Sequence, residues 1–252
     1  MLGLERQRQL LQHIRSHGAG NVTDLAVELG VSASTVRRDL KTLEDRGLLT
    51  RVHGGASIGD ETGEPVFGAR GREHDDEKRR IGEAAAALIG DGASVLITGG
   101  TTTEAILPHL ADRTNLTIIT NGLNVALQLS RYPGISVVVL GGVLRHSEMS
   151  LLGQLTEHAL ADFRVDLAVT GAFGIDAEYG IFGADVREAS TDRSILRQVP
   201  SLVVVADASK FHQRGPVRVV GTEHVTHLVT DTGAPADAVA AWRAHGVDVV
   251  LA

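Results

Sequence analysis

The chain has 252 residues, of which 43% are hydrophobic and 3% aromatic, with a formal net charge of −7. This length suits two domains, and the aliphatic content is sufficient for a hydrophobic core. The absence of cysteine excludes disulfides, thiol nucleophiles and zinc sites with sulfur ligands, and the histidines show no metal-ligand spacing. The N-terminus is polar and no apolar run approaches the ~18 residues of a membrane span, so we expect a cytoplasmic protein that needs no metal or cofactor.

The charge is distributed unevenly along the chain. Residues 1–56 contain 8 Lys and Arg against 6 Asp and Glu, a balance of +2. The remainder contains 16 against 25, a balance of −9. A nucleic-acid-binding element is therefore expected in the N-terminal part, in spite of the acidic total.

Residues 32–46 have the pattern of a short amphipathic helix. Ser32 is a suitable N-cap and Gly47 follows the last turn. Val36, Leu40 and Leu43 are spaced i, i+4, i+7 and form an apolar face. The opposite face is polar and basic, which fits a helix in the DNA major groove, although a surface helix with solvated charges is the alternative. The residues expected to contact DNA, with two from the following strand, are Ser32, Ser34, Thr35, Arg37, Arg38, Lys41, Arg51 and His53.

Two further helices and a strand surround this candidate recognition helix. One helix is predicted around residues 4–17, and a second begins with Thr23 as N-cap, Val22 packing on Val27 and Gly30 ending the helix. Residues 48–56 alternate and end in glycines, as in the strand of a β-wing. This set predicts a winged helix-turn-helix domain over residues 1–56 that binds double-stranded DNA, with use for protein contact alone as the alternative.

The rest of the chain predicts a second domain. Residues 57–76 lack periodicity and are rich in Gly and charged residues, which indicates a linker. Over residues 77–252, apolar strands alternate with helices, which predicts an open, largely parallel α/β sheet covered on both faces. The predicted strands are 93–98, 116–120, 135–140, 166–170, 201–206, 227–230 and 247–251. The predicted helices are 77–90, 102–110, 123–132, 152–162 and 186–198.

Glycine and small polar residues follow several of these strands, at the edge where open α/β sheets bind ligands. The loop from Gly99 to Glu104 gives the strongest signal. Its two glycines allow close backbone approach, and Thr101 with Glu104 fits a capping box that opens a helix. Such a loop can hold a phosphate, and without a Walker lysine it is not expected to hydrolyse nucleotides. A purely structural Gly-Thr turn is the alternative.

Several motifs resemble those of the DeoR family of bacterial transcriptional regulators. In the N-terminal part these are V-S-x-S-T-V-R-R-D-L from Val31, followed by L-E-x-R-G-L-L and R-V-H-G-G-A. In the C-terminal part they are Lys78, Ile81, G-T-T-T at 100–103, T-N at 120–121, G-G at 141–142, G-x-x-G-I at 171–175 and D-x-S-K at 207–210. The resemblance extends from Leu4 to about Asp231.

The resemblance implies a repressor of a carbohydrate-catabolism operon that responds to a phosphorylated sugar. It implies an effector domain of the ribose-5-phosphate isomerase or coenzyme A transferase type. One departure is Thr98, where family members commonly have an Asp, and this leaves the identity of the sugar open. The residues that the resemblance and the loop assign to the effector are Gly99, Gly100, Thr101, Thr102, Thr103, Asn121, Glu188 and Lys210.

Two other functions compete with this interpretation. A sugar-phosphate isomerase fused to a DNA-binding domain would need a carboxylate base, and the isomerases it resembles carry a D-G-A-D-E type cluster. Residues 170–174 contain no carboxylate, so no catalytic residue is expected. An architectural DNA binder would not need the strand-end loops. Since a small helix-turn-helix domain gains affinity by pairing two half-sites, a homo-oligomer, dimer or tetramer, is expected.

Overall fold

The computed structural model describes residues 3–17, 19–46, 48–52, 54–57 and 73–252. The chain divides into two compact units, Met1–Glu73 and His74–Ala252, and each is described by itself. Gly47, His53 and most of the predicted linker lie outside the described residues. Within the described ranges, no helix has both the length and the apolar character to cross a membrane.

The N-terminal unit contains three helices and a small antiparallel sheet in the order β1-β3-β2. Its elements are α1 Gly3–His17, β1 Ala19–Asn21, α2 Val22–Glu28, α3 Ala33–Asp45, β2 Thr50–Val52 and β3 Gly55–Ser57. Its core joins the apolar faces of all three helices, with Ile14, Leu25 and Leu40 each at most 1% exposed. The predicted helix-turn-helix with a wing is confirmed.

The start of α2 differs from the prediction. Its N-cap is Asn21, whose side-chain oxygen accepts a hydrogen bond from the Thr23 N–H at 2.8 Å, so the prediction of Thr23 as N-cap is wrong. The expected contact between Val22 and Val27 is also wrong, because Val27 is 80% exposed. With the cap two residues earlier, Val22 lies inside the first turn, so it cannot pack across the cap onto the fourth helical residue.

The C-terminal unit is built on a parallel sheet of seven strands in the order β15-β14-β12-β9-β4-β5-β6. These strands are β4 Ser94–Ile97, β5 Leu116–Thr120, β6 Ile135–Val139, β9 Leu167–Thr170, β12 Leu202–Val205, β14 His227–Thr230 and β15 Asp248–Leu251. All seven were predicted. After β4, the strands β5 and β6 are added on one side of β4. The next strand of the sheet, β9, pairs with the other side of β4. The strand order therefore reverses between β4 and β9.

Helices cover both faces of the sheet. They are α4 Asp75–Ala86, α5 Thr101–Glu104, α6 Leu123–Leu129, α7 Gln154–Leu160, α8 Val186–Leu196 and α9 Ala236–Ala244. Along β4, Leu96 belongs to one hydrophobic cluster and Val95 with Ile97 to another, so successive side chains point to opposite, equally buried faces. This pattern confirms the doubly covered α/β domain.

Four features of the C-terminal unit were not predicted correctly, and the first is helix α9, which was missed. α4 begins at Asp75, inside the predicted linker. The helix expected over 102–110 is divided into α5 and a 3-10 helix, Leu107–Leu110, because Pro108 has no N–H to continue an α-helix. The short antiparallel strands were missed. They are β7 Val143–Arg145 with β8 Ser150–Leu152, and β10 Gly174–Asp176 with β11 Gly180–Gly183 and β13 Val217–Val220.

Candidate functional site

The first candidate site is the outer face of α3. The Ser32 hydroxyl accepts a hydrogen bond from the Thr35 N–H at 3.2 Å, which confirms the predicted N-cap. Val36 and Leu40 are fully buried on the inner face, and Thr35 is half-buried at its margin. The exposed residues of the outer face are Ser32, Ser34, Arg37, Arg38 and Lys41. This face has the residue types that contact phosphates and base edges.

A buried ion pair that the sequence did not indicate fixes α3 against α1. Asp39 is 5% exposed, and its carboxylate pairs with the Arg6 guanidinium. The Gln7 side-chain amide donates a further hydrogen bond to Asp39 at 3.2 Å. Because Asp39 lies on the inner side of α3, this contact helps to set the orientation of the outer face. The only indication of this ion pair in the sequence is that Asp39, a charged residue, directly precedes Leu40 on the apolar face of the helix.

The wing is linked to the end of α3 through Arg51. Its backbone N–H donates to the Glu44 carboxylate at 3.0 Å, and its exposed guanidinium lies 3.9 Å from the same group. Arg51 is therefore exposed next to α3, as a phosphate contact requires. His53, the other predicted wing contact, lies outside the described residues.

The second candidate site is at the carboxyl edge of the parallel sheet. The strand register places Asn121, Thr98 and Thr170 side by side. Thr170 is the last residue of β9, and Asn121 and Thr98 directly follow the last residues of β5 and β4. The Thr98 and Thr170 hydroxyls are hydrogen-bonded at 2.9 Å, and both residues are at most 4% exposed. The Asn121 side-chain oxygen accepts a 3.4 Å hydrogen bond from the Gly99 N–H. This polar row spans the point where the strand order reverses, which is the usual ligand position in open α/β sheets.

The Gly99 loop passes directly over this row. The N-cap of α5 is Gly100, with a φ of 150° that favours glycine, so the predicted capping box headed by Thr101 is wrong. The Thr103 hydroxyl lies 2.9 Å from both the Thr98 and the Gly100 carbonyl oxygens, and Thr103 is fully buried. Thr103 therefore stabilises the loop from inside. The first hydrogen bond within α5 runs from the Glu104 N–H to the Gly100 carbonyl oxygen. The N–H groups of Thr101, Thr102 and Thr103 therefore have no acceptor within the helix.

Glu188 is brought to this loop by two residues that the sequence did not indicate. Its carboxylate forms an ion pair with Arg145 on β7 and accepts a hydrogen bond from the Ser150 hydroxyl on β8 at 3.1 Å. A Cβ added at Gly99 would lie 3.5 Å from the Ser150 Cβ. Asp185, the N-cap of α8, accepts from the Glu188 N–H at 3.0 Å and fixes the first turn.

Lys210 lies farther along the same edge. It belongs to a 3-10 helix, Ala208–His212, that follows β12 and is capped by Asp207, whose side chain accepts from the Ser209 N–H at 3.0 Å. Strand β12 is two positions from β4 in the sheet. In the part of the chain that the structure describes, the Lys210 ammonium takes no part in the hydrogen bonds of Asn121 and Ser150 or in the ion pair of Glu188.

A titratable group lies close to these charges. Burial of the Asp192 carboxyl, with repulsion from Glu148 as a second cause, raises its pKa to about 7, while Arg145 acts in the opposite direction. The folded chain therefore holds this proton across a pH range, from about 4 to 7, in which the unfolded chain releases it. Ionisation of Asp192 then destabilises the folded state increasingly as the pH rises through that range.

We expect an Asp192→Asn variant to be more stable than the parent protein at pH 8, with a much smaller difference at pH 4. Urea unfolding can be followed by the fluorescence of Trp242, the one tryptophan of the chain, which is fully buried in the C-terminal unit. Asp112→Asn, at an exposed position, serves as the control. A stability difference that stays constant from pH 4 to 8 would contradict this prediction.

The comparison with known proteins decides the family. The model of the DeoR C terminal sensor domain matches residues 73–232, and that of the DeoR-like helix-turn-helix domain matches residues 6–62. The chain belongs to the DeoR family. A relative in Escherichia coli K12, the HTH-type transcriptional repressor CsqR, is 35% identical over 251 residues, covering 100% of this chain and 96% of the relative. The Glycerol-3-phosphate regulon repressor of the same strain is 29% identical, covering 98% of both chains.

This DeoR-family chain is accordingly a transcriptional regulator with a DNA-binding unit and an effector-sensing unit, and these relatives are repressors rather than enzymes. Among solved structures, the ribose 5-phosphate isomerase A of Methanocaldococcus jannaschii aligns with a TM-score of 0.42 at 17% identity, covering 55% of each chain. Within the described ranges, no group of three or more His, Asp or Glu side chains is arranged to hold a metal ion.

Proposed function

We propose that this DeoR-family regulator represses a carbohydrate-catabolism operon and is controlled by a phosphorylated sugar. The DNA contacts are assigned to the outer face of α3, with Arg51 and His53 of the wing at the flanking phosphates. This assignment is supported by the exposure of Arg37, Arg38 and Lys41 on one side of a helix that is fixed from behind.

The effector is assigned to the carboxyl edge of the sheet. The observation that carries this assignment is the Gly99 loop over the polar row of Asn121, Thr98 and Thr170, where the strand order reverses. Backbone amides at the start of α5 and the hydroxyls of Thr101 and Thr102 would hold the phosphate group. The relative that is named for the glycerol-3-phosphate regulon also supports a phosphorylated ligand.

The regulator would act in the cytoplasm as a homo-oligomer, a dimer or tetramer. A single helix-turn-helix domain covers few base pairs, so pairing two half-sites raises its affinity and specificity. The effector must then bind one arrangement of this oligomer better than another, because a ligand with equal affinity for both would not change DNA binding.

Selection of DNA fragments by the purified protein, followed by fluorescence anisotropy on the selected fragment, tests both halves of the proposal. Inorganic phosphate, glycerol 3-phosphate, ribose 5-phosphate, glucose 6-phosphate and fructose 6-phosphate form the first panel. We expect at least one sugar phosphate to change the DNA affinity by roughly 5–150-fold, the range of typical allosteric coupling. NMR spectra of the same mixtures should show no conversion of the sugar phosphates. Failure to select any DNA sequence would contradict the proposal.

A Lys210→Ala variant should keep its DNA affinity and respond about tenfold less sensitively to the active sugar phosphate. A lysine that reaches the phosphate adds a charge-assisted hydrogen bond, and loss of such a bond has an effect of this size. Arg131→Ala removes an exposed cation elsewhere on the same unit and should leave the response unchanged. If the two variants behave alike, Lys210 does not contact the effector.

A further inference from the structure

The carboxylate of Glu188 is fixed from two sides. The Arg145 guanidinium pairs with one oxygen, and the Ser150 hydroxyl donates to the other at 3.1 Å. Only 5% of the Arg145 side chain and 20% of the Glu188 side chain are exposed. An adjacent guanidinium favours the ionised carboxylate, and a hydrogen bond to each oxygen restricts its rotation. The result is a charged acceptor with a defined orientation.

The β7–β8 hairpin determines where this acceptor lies. Arg145 and Ser150 are direct partners in the antiparallel register of the hairpin, so both approach Glu188 from the same element. The hairpin is joined to the end of β5 by a bridge between Ser150 and Gly122 and by a 2.7 Å hydrogen bond from the Leu151 N–H to the Asn121 carbonyl. Ser150 therefore contacts Glu188 and also lies against the Gly99 loop.

The polar row beneath the loop has different chemistry. Thr98 and Thr170 contribute hydroxyls that bond to each other, and Asn121 contributes an amide that already bonds to the loop. Glu188 contributes a carboxylate beside the loop. Each oxygen of the Glu188 carboxylate has one of these two partners, Arg145 or Ser150, so the group is held in one orientation beside the loop.

We propose that Arg145 and Ser150 are positioning residues that orient Glu188 to accept hydrogen bonds from hydroxyl groups of the effector. The effector is then a phosphorylated polyol that is bound at two ends, its phosphate at the Gly99 loop and its hydroxyls at Glu188. This inference rests on the phosphorylated effector proposed above and adds the part of the ligand that determines selectivity. Hydroxyl bonds to a carboxylate are short and strong, so their loss reduces affinity markedly.

Titration calorimetry on the full chain tests this role with a Ser150→Ala variant. The probes are glycerol 3-phosphate, glucose 6-phosphate and inorganic phosphate. We expect Ser150→Ala to weaken binding of the sugar or polyol phosphate that binds the parent protein by about tenfold, with the affinity for inorganic phosphate unchanged. Arg145→Met should have a larger effect in the same direction. Because Arg145→Met removes a buried charge and can prevent folding, Ser150→Ala is the decisive variant.

A double-mutant cycle separates positioning from a general structural effect. In a Glu188→Gln background, the additional Ser150→Ala change should have no further effect on sugar phosphate affinity, since Ser150 acts through Glu188. Arg164→Ala is the matched control for the ion pair, because Arg164 is 94% exposed and lies 3.9 Å from Asp166. That variant should bind every probe as the parent protein does.

Two results would overturn the inference while leaving the phosphate site intact. One is an equal loss of affinity for inorganic phosphate and sugar phosphate in Ser150→Ala. The other is an undiminished effect of Ser150→Ala in the Glu188→Gln background. If the parent protein binds none of the phosphate compounds, the proposed effector class is itself wrong and this inference fails with it.

Discussion

A Gly122→Ala variant should bind operator DNA like the parent protein and lose most of its response to the effector. The added Cβ would lie 2.9 Å from the Gly99 Cα, closer than such atoms approach, and 3.2 Å from the Gly99 N, which is also a tight contact. The contacts to Gly99 are to backbone atoms, so a side-chain rotation cannot relieve this part of the strain. The Gly99 loop must move away from the polar row, and we expect the effector affinity to fall by at least tenfold, about 1.4 kcal/mol.

Gly141→Ala is the matched control for this variant. Gly141 also follows a strand of the parallel sheet, but a Cβ placed there meets no atom within 4 Å. Fluorescence anisotropy on the selected DNA, with and without the active sugar phosphate, measures both functions in one titration. An effector response in Gly122→Ala equal to that of Gly141→Ala would show that the loop does not bind the effector.

An Arg38→Ala variant should lose DNA affinity without loss of folding. Arg38 is exposed on α3, while its neighbours Leu40 and Val36 fill the core, so truncation removes no packing. If Arg38 contacts a guanine, discrimination at one base pair should fall by about 1–3 kcal/mol. If it contacts a phosphate, the affinity should fall evenly across sequences and its salt dependence should decrease.

Arg8→Ala is the control for the change in charge, since Arg8 is exposed on α1. Binding should be measured on the selected DNA, on single-base variants of it and at several salt concentrations. An Arg38→Ala protein with the affinity, the base preferences and the salt dependence of the Arg8→Ala protein would exclude both roles for Arg38.

The parallel sheet could be predicted because its strands are buried on both faces. Such strands are continuous apolar runs, and the runs at 116–120 and 227–230 agree with β5 and β14 at both ends. The strands of the small sheets were missed for the opposite reason. β7, Val143–Arg145, has only three residues. Its apolar Val143 is exposed and its charged Arg145 is buried, so its sequence does not show the alternation that identifies a strand.

The candidate effector site was predictable only in part. Glycines after strands located the Gly99 loop, because close backbone approach requires small residues wherever strands end together. The partners of Glu188 were not predictable, since Arg145 lies 43 residues away in sequence and only the hairpin brings it near. The capping box at Thr101 was predicted wrongly because it, too, depends on a conformation that the sequence does not show. A Ser, Thr or Asp pattern identifies a possible cap, but the φ of Gly100 determines where the helix begins.

The hydrogen bond between Thr98 and Thr170 also has a consequence for folding. These residues are 72 positions apart in the chain and meet only when β4 pairs with β9. Pairing over such a separation must overcome a large loop-closure entropy, so it belongs to the slower events of folding. A partly folded chain therefore lacks the complete edge of the sheet to which we assign the effector. A ligand that binds only the finished sheet adds RT ln(1 + [L]/Kd) to the stability of the native state, so an effector bound at this edge would also protect the regulator from unfolding.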